Sequence, residues 1–261
     1  MKVSIVTISY NQAQYLEDCI LSVLNQDYKD VEYIVVDPGS TDGSREIIEK
    51  YRNKISHIVY EKDEGGADGL NRGFKRATGD IFGFINSDDT LLPGALSSIV
   101  DAFEKDATAD VISGCGYFTD GSGRQTKHLS STKFGVNLYL YGAVTLFQQA
   151  TFFKKQHFFE VGGFNKDNKT CWDGELLLDM AANGAVFKNI SQNVATFRLH
   201  EEGITGSGRL TEKYLLDSER LFRKIKRRNP DRRDKLIGKC SRILKLTYNP
   251  VFYFKKIFVR V

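Results

Sequence analysis

With 261 residues, 41% of them hydrophobic, the chain has enough apolar material for one sizeable core, and it contains no low-complexity segment and no internal repeat. No stretch approaches the ~20 apolar residues that cross a bilayer, and the opening Val3–Ile8 is too short and too polar to read as a signal peptide. The net charge of +4 conceals an asymmetry, because residues 209–261 carry 17 Lys/Arg against 5 Asp/Glu whereas residues 1–208 carry 20 against 28. An acidic body with a basic tail points to an anionic partner for the tail. Cys19, Cys115, Cys171 and Cys240 match no zinc or redox spacing, which favours reduced thiols and a cytoplasmic chain.

In chain order, Val3–Ile8 reads as a buried strand, and Leu16, Ile20, Val23 and Leu24 recur at helical spacing. Val31–Val36 is a second strand ending at Asp37, followed by a turn over 38–43 and a helix over 44–52. A short strand over 57–60, a helix from about Gly65 to Ala77 and a strand over 81–85 follow. Pro93 fits the first turn of the next helix, to about Glu104, and 111–118 is a fifth strand. Strand and helix thus alternate, which predicts an α/β fold with a mainly parallel sheet flanked by helices. Further on, 150–153 reads as a strand, Val161-Gly162-Gly163-Phe164 as a tight turn and 172–183 as a helix. Residues 186–190 and 194–199 read as two final strands, before a helical, basic C-terminal extension.

Ligands of such sheets bind at the carboxyl ends of the strands, where Ser9-Tyr10-Asn11, Asp37 and Ser87-Asp88-Asp89 fall. Two adjacent carboxylates leaving the apolar strand 81–85 repel one another, and a divalent cation would relieve that cost. Oxygen ligands suit Mg²⁺ or Mn²⁺, although the pair could equally cap the following helix. Asp37 could accept hydrogen bonds from a base or ribose, or simply form its turn. Tyr10 could stack on a base or sit in the core. Asp68 could bond a ribose, or pair with Arg72 four residues on. In Trp172-Asp173-Gly174-Glu175, two carboxylates open a helix, where the helix dipole favours acids and where one of them could be a general base. His200 could ligate a metal or contact a phosphate. Gly203, Gly206, Ser207 and Gly208 could form a flap or a linker.

Together these segments resemble the family 2 glycosyltransferases. The likeness rests on Val3–Asn11, Asp37-Pro38-Gly39-Ser40-Thr41-Asp42-Gly43-Ser44, Glu64–Phe74, Ala77–Asp80 with Asn86-Ser87-Asp88-Asp89, Gln149–Phe153, Val161–Phe164 and Trp172–Glu175. The resemblance implies a GT-A fold over residues 1–208, with residues 209–261 as a basic helical extension. It implies that Thr7, Ser9, Tyr10, Asp37 and Asp68 hold the nucleoside of a nucleotide-sugar donor and that Asp88 touches its ribose or sugar. Asp89 would bind Mn²⁺ or Mg²⁺ with His200 as a second ligand, and Asp173, or else Glu175, would be the catalytic base of an inverting displacement on a glycan or lipid-linked acceptor. A nucleotidyltransferase is the alternative, but Ser9-Tyr10-Asn11-Gln12 lacks the glycines and basic residue of a phosphate loop. A non-catalytic membrane-associated sugar-binding protein is the other. In the extension, Arg220–Arg228 and Arg232–Lys239 form basic clusters interleaved with leucines and isoleucines, and the 251–259 segment places aromatics beside lysines. That pattern points to peripheral attachment on an anionic membrane surface rather than to nucleic acid.

Overall fold

The structure, a computed structural model, describes residues 1–200 and 210–248. The possible glycine-rich flap, the 208/209 boundary and the 251–259 segment lie outside the described residues.

Strands β1 (Val3–Ile8), β2 (Val31–Val36), β3 (His57–Val59) and β4 (Ile81–Asn86) run parallel in the order β3-β2-β1-β4. Between them run helices α1 (Ala13–Leu24), α2 (Ser44–Lys50) and α3 (Gly66–Arg76). The predicted second helix is shorter than expected, since Arg52–Lys54 tightens into a 3₁₀ turn. Beyond β4 comes the two-residue β5 (Thr90–Leu91), then α4 (Ala95–Lys105) and β6 (Val111–Thr119). α4 starts two residues after Pro93, because Gly94 turns the chain with φ +77°. Then follow β7 (Gln125–Ser130), α5 (Val136–Leu140), β8 (Thr151–Lys154), α6 (Lys155–Glu160), α7 (Trp172–Ala182), β9 (Phe187–Arg198), α8 (Thr211–Lys226) and α9 (Arg232–Tyr248).

The second half of the sheet is mixed. β8 lies antiparallel between β4 and β6, β9 runs parallel to β6, and β5 and β7 pair antiparallel at its margins. The two strands expected over 186–199 are one strand. Its middle is polar and exposed, so side-chain patterning there mimics a turn, while the ladder to β6 continues through register shifts beside Cys115.

Period-2 alternation in β1 sends Val3 and Ile5 to a core against α1 and α4, and Val6 to a core against α3 and α7. The first core takes Leu16, Ile20, Ile99 and Phe103, and the second takes Leu70, Phe74, Leu176 and Met180. With both faces covered, the strands are almost wholly apolar, and polar groups gather where the strands end. The register Ile8↔Val36 and Ile8↔Asn86 brings the residues after β1, β2 and β4 to one edge.

Candidate active site

The first cluster at that edge is built by the loops after β1 and β2. Asp37 is fully buried, and its Oδ1 accepts hydrogen bonds from the Gly39 and Ser40 N–H groups (3.0 and 2.8 Å) and from Arg45 Nε (3.1 Å). The other carboxylate oxygen, Asp37 Oδ2, is buried with no partner, as is Ser9 Oγ. Buried polar atoms are nearly always satisfied, so two orphans at adjacent strand ends mark a place for ligand hydroxyl or N–H groups. Asn11 holds the two loops together: its N–H donates to Ser40 Oγ, and its Oδ1 accepts from Thr41 N–H. Tyr10 is 62% exposed beside them, so it is not a core aromatic. Thr7, expected near the nucleoside, has its hydroxyl inside the protein, 3.0 Å from Tyr33 Oη. The period-2 rule explains this, since Thr7 follows Val3 and Ile5 on the face packed by α1. Asp68 pairs with Arg72 (3.0 Å) and accepts from Glu64 N–H at the start of α3. Burial pushes its carboxyl up, but those two donors outweigh it and hold the carboxyl below the usual range.

At the end of β4 the two aspartates differ in burial and in partners. Asp89, expected to hold the metal, is fully buried: Arg198 N–H donates to Oδ1 (2.8 Å), and Gln149 Nε2 donates to Oδ2 (2.8 Å). Burial, reinforced by the adjacent Asp88 charge, pushes the Asp89 carboxyl well above the usual range. Asp88 is the accessible partner, with its Oδ2 3.0 Å from His200 Nε2. Two cis ligands of an octahedral ion, at roughly 2.0–2.1 Å from it, stand about 3.0 Å apart. One carboxylate and one imidazole at that spacing would be able to hold a Mg²⁺ or Mn²⁺ ion. Among the described residues no group of three or more His, Cys, Asp and Glu side chains could hold a metal by itself.

Arg198 locks this corner. Its Nε donates to the Asp88 carbonyl (2.9 Å), its Nη1 donates to the Gly121 carbonyl (3.0 Å), and its guanidinium lies 4.6 Å from the Tyr15 ring centre. Sequence pattern alone assigns no role to Arg198 and none to Gln149 as a prop for Asp89. The available signal was an arginine closing an apolar strand, which pattern alone cannot tell from a surface residue.

The third group sits on α7. Asp173 shares a small cavity with Phe84, Gln148, Thr151, Phe153, Leu176 and Leu177, and its Oδ1 accepts a hydrogen bond from the Gly174 N–H (2.8 Å) within its own turn. Burial raises the Asp173 carboxyl above the ordinary aspartate range. Glu175, two residues on, is 1% exposed and saturated: it accepts from Arg220 Nη1 and Nη2 (2.9 and 2.6 Å), Lys224 (3.1 Å) and Asn168 (2.8 Å). Burial opposes its charge, but these donors prevail and hold its carboxyl down to about 2. Of the two acids left open as base, Asp173 is the one with free acceptor capacity.

Because the folded-state value of Glu175 is depressed, its contribution to stability is fully present above about 4.5 and is lost as the pH falls toward about 2. Breaking a buried ion pair costs ~3–5 kcal/mol, and the partial exposure of Arg220 and Lys224 favours the lower end. Glu175→Gln is therefore expected to lower the melting temperature at pH 7 by roughly 5–10 °C. That deficit should shrink as the pH is taken down to 3, and a constant deficit in calorimetry would contradict this account.

A polar strand-end edge, a partly exposed Asp88 against the buried His200 ring and a half-buried Asp173 at the start of α7 thus gather on one fold, and comparison with known sequences gives that fold a family. Residues 4–170 match the model of the family described as Glycosyl transferase family 2. The chain belongs to glycosyl transferase family 2. An uncharacterized glycosyltransferase of Nostoc sp. is 40% identical over 116 residues, covering 43% of this chain and 35% of that relative. The GalNAc(5)-diNAcBac-PP-undecaprenol beta-1,3-glucosyltransferase of Campylobacter jejuni is 33% identical over 103 residues, 38% of this chain and 33% of that one. These matches span about a third of each relative's length. Among solved structures, S. aureus TarS in complex with UDP-GlcNAc superposes with a TM-score of 0.72 at 18% identity, over 100% of this chain and 77% of that one. The mannosyltransferase PcManGT of Pyrobaculum calidifontis, in complex with GDP-Man and Mn²⁺, gives 0.66 at 20% identity, over 91% and 68%. At that identity the likeness shows the fold, and the family 2 chain has the expected GT-A architecture. The family places it among glycosyltransferases and sets aside the nucleotidyltransferase reading.

Proposed function

We propose that this family 2 chain is an inverting, metal-dependent glycosyltransferase that moves a sugar from a nucleotide-sugar, a UDP-sugar by preference, to a hydroxyl of a glycan or lipid-linked acceptor in surface polysaccharide synthesis. The observation that carries the reading is the pair of orphaned buried acceptors, Ser9 Oγ and Asp37 Oδ2, at the strand-end edge that also carries Asp88. In this reading Ser9, Asp37 and the exposed Tyr10 ring receive the nucleoside. Asp68, already paired with Arg72, shapes the neighbouring wall, and Thr7, paired by β2 and β4 on either side and with its hydroxyl against Tyr33, stays inside the sheet. Asp88 and His200 hold Mn²⁺ or Mg²⁺, which when bound offsets charge on the donor diphosphate. Asp89 takes no ion and braces the loop from within.

Asp173 accepts the proton of the acceptor hydroxyl. The hydroxyl oxygen bonds to the anomeric carbon as the bond from that carbon to the diphosphate oxygen breaks, and the electron pair leaves with the diphosphate. A base whose affinity for protons is raised by burial suits this task better than a fully solvated aspartate. UDP- and GDP-sugars screened by thermal shift test the donor class. At a concentration near 100 times Kd, a true donor adds about 2.7 kcal/mol of stability, and does so only with Mn²⁺ or Mg²⁺ present. No shift with any nucleotide-sugar would reject the reading.

We also propose that the basic extension seats the enzyme on an anionic membrane, on the cytoplasmic side, where a lipid-linked acceptor would be found. Among the described residues no helix is long and apolar enough to cross a bilayer. Part of the basic charge is used internally: Arg220 and Lys224 serve Glu175, and Arg228 pairs with Asp234. What supports the reading is what remains on the surface. Leu215 (60%), Leu216 (66%), Leu236 (62%) and Ile243 (61%) are exposed among the exposed Arg223, Arg232, Arg233, Lys235 and Lys239. Each basic residue near an anionic leaflet adds about 1 kcal/mol. The protein is expected to pellet with phosphatidylglycerol vesicles at low salt and to be released at 0.5 M salt, on the order of a severalfold Debye-length reduction. Leu215→Asp/Leu216→Asp should weaken binding, and equal sedimentation of that variant would reject the surface.

A further inference from the structure

We propose that α8, reached through Arg220 and Lys224, is a positioning element for the catalytic turn of α7, so that the basic extension forms part of the active site's framework. The inference rests on the reading of Asp173 as the base. α7 opens without a side-chain cap at Cys171, and its first turn contains Gly174. An uncapped first turn with a glycine is intrinsically loose. The glycine is required by a close approach: a Cβ on Gly174 would fall 1.9 Å from Tyr139 Oη. Asp173 itself bonds within its own turn, so its carboxylate is only as well placed as the backbone that carries it.

That backbone is fixed from outside. Glu175 lies in the same turn, and the fork of Arg220 grips it with two hydrogen bonds while Lys224 adds a third. Lys224 also reaches Asp179 one turn further along α7 (2.6 Å). Asp217 of α8 accepts from Thr170 Oγ1 (2.7 Å), just before the helix starts. Leu221 packs beneath these polar contacts against Leu178 and Cys171. α8 therefore touches α7 before, at and after the turn bearing Asp173. A planar guanidinium paired with a carboxylate fixes orientation as well as distance.

The test compares Arg220→Gln/Lys224→Gln with Arg220→Lys, which keeps the charge and loses the fork, using UDP-N-acetylglucosamine with Mn²⁺ as the probe. Hydrogen exchange at residues 172–176 should accelerate at least 10-fold in the double variant, with β1, β2 and β4 unaffected. Donor hydrolysis should fall in kcat by roughly 10²-fold, the effect of a misplacement on the order of an ångström, while the Kd for UDP stays within about twofold. Arg220→Lys should lie between wild type and the double variant on both measures, and it decides the matter if the double variant does not fold. Wild-type exchange and kcat in a folded variant, with Asp173→Asn inactive, would overturn the positioning role alone. Full activity in Asp173→Asn would instead overturn the base reading, and the catalytic role of the clamp with it.

Discussion

Asp173→Asn is expected to lower turnover by ~10²–10⁴-fold, the usual contribution of a general base, while leaving nucleotide affinity and melting temperature close to wild type. The substitution keeps the size of the side chain and its acceptor oxygen for the Gly174 N–H, so the first turn of α7 should survive. Because burial raises the Asp173 carboxyl, the acid limb of the wild-type kcat profile should lie above the ordinary aspartate range, with activity rising as the proton leaves. In Asp173→Asn that limb should disappear. Glu175→Gln provides the contrast. Its carboxyl is held down to about 2 by Arg220 and Lys224, so it is ionised and occupied at any working pH, and its loss should act first on stability. An inactive Glu175→Gln whose helix is intact by hydrogen exchange, beside an active Asp173→Asn, would transfer the base role to Glu175.

Asp88→Ala is expected to reduce turnover by 10³-fold or more, on the order of losing the metal's several kcal/mol of charge stabilisation. His200→Ala should weaken Mn²⁺ binding and be partly rescued by excess metal, because one ligand of two remains. EDTA should abolish transfer, and Mn²⁺ should restore it. Asp89→Ala should behave differently. It strands the Arg198 N–H and the Gln149 amide in the interior, at ~1–3 kcal/mol each, so a fall in folding stability should accompany any fall in rate. Calorimetry on both variants separates the cases. Should Asp89→Ala fold with wild-type stability and lose metal, while Asp88→Ala still binds it, the division of labour drawn from burial is reversed.

The first half of the fold was legible in the sequence because each of its elements satisfies a local rule. β1, β2 and β4 are runs of β-branched and aromatic residues buried on both faces, and the turns after them collect the polar groups that those faces cannot hold. Ser9, Asp37 and the Asp88–Asp89 pair could therefore be found from spacing alone, and so could the start of α7 with its two acids. Side-chain direction was legible only where alternation is strict: counted from Val3, it already places Thr7 inside, against α1. Beyond the last residue of a strand the count fails, and that is where Asp88 and Asp89 lie. The burial of Asp89 is decided by Arg198 and Gln149, which reach it across 109 and 60 residues of chain. The insertion of β8 between β4 and β6, and the continuity of β9 through its polar middle, likewise depend on partners distant in sequence.

The same division runs through α7. The sequence by itself determined that two carboxylates open this helix, since residue identity and helical spacing are local properties. Only the tertiary structure decided which of them is free. Arg220 and Lys224, some 45 residues away, neutralise Glu175 in the interior, whereas Asp173 meets no cation among the described residues and lines a small cavity with Phe84, Phe153, Leu176 and Leu177. The physical reason is that a carboxylate's chemistry is set by the charges and solvent around it, and those arrive only when the chain has folded.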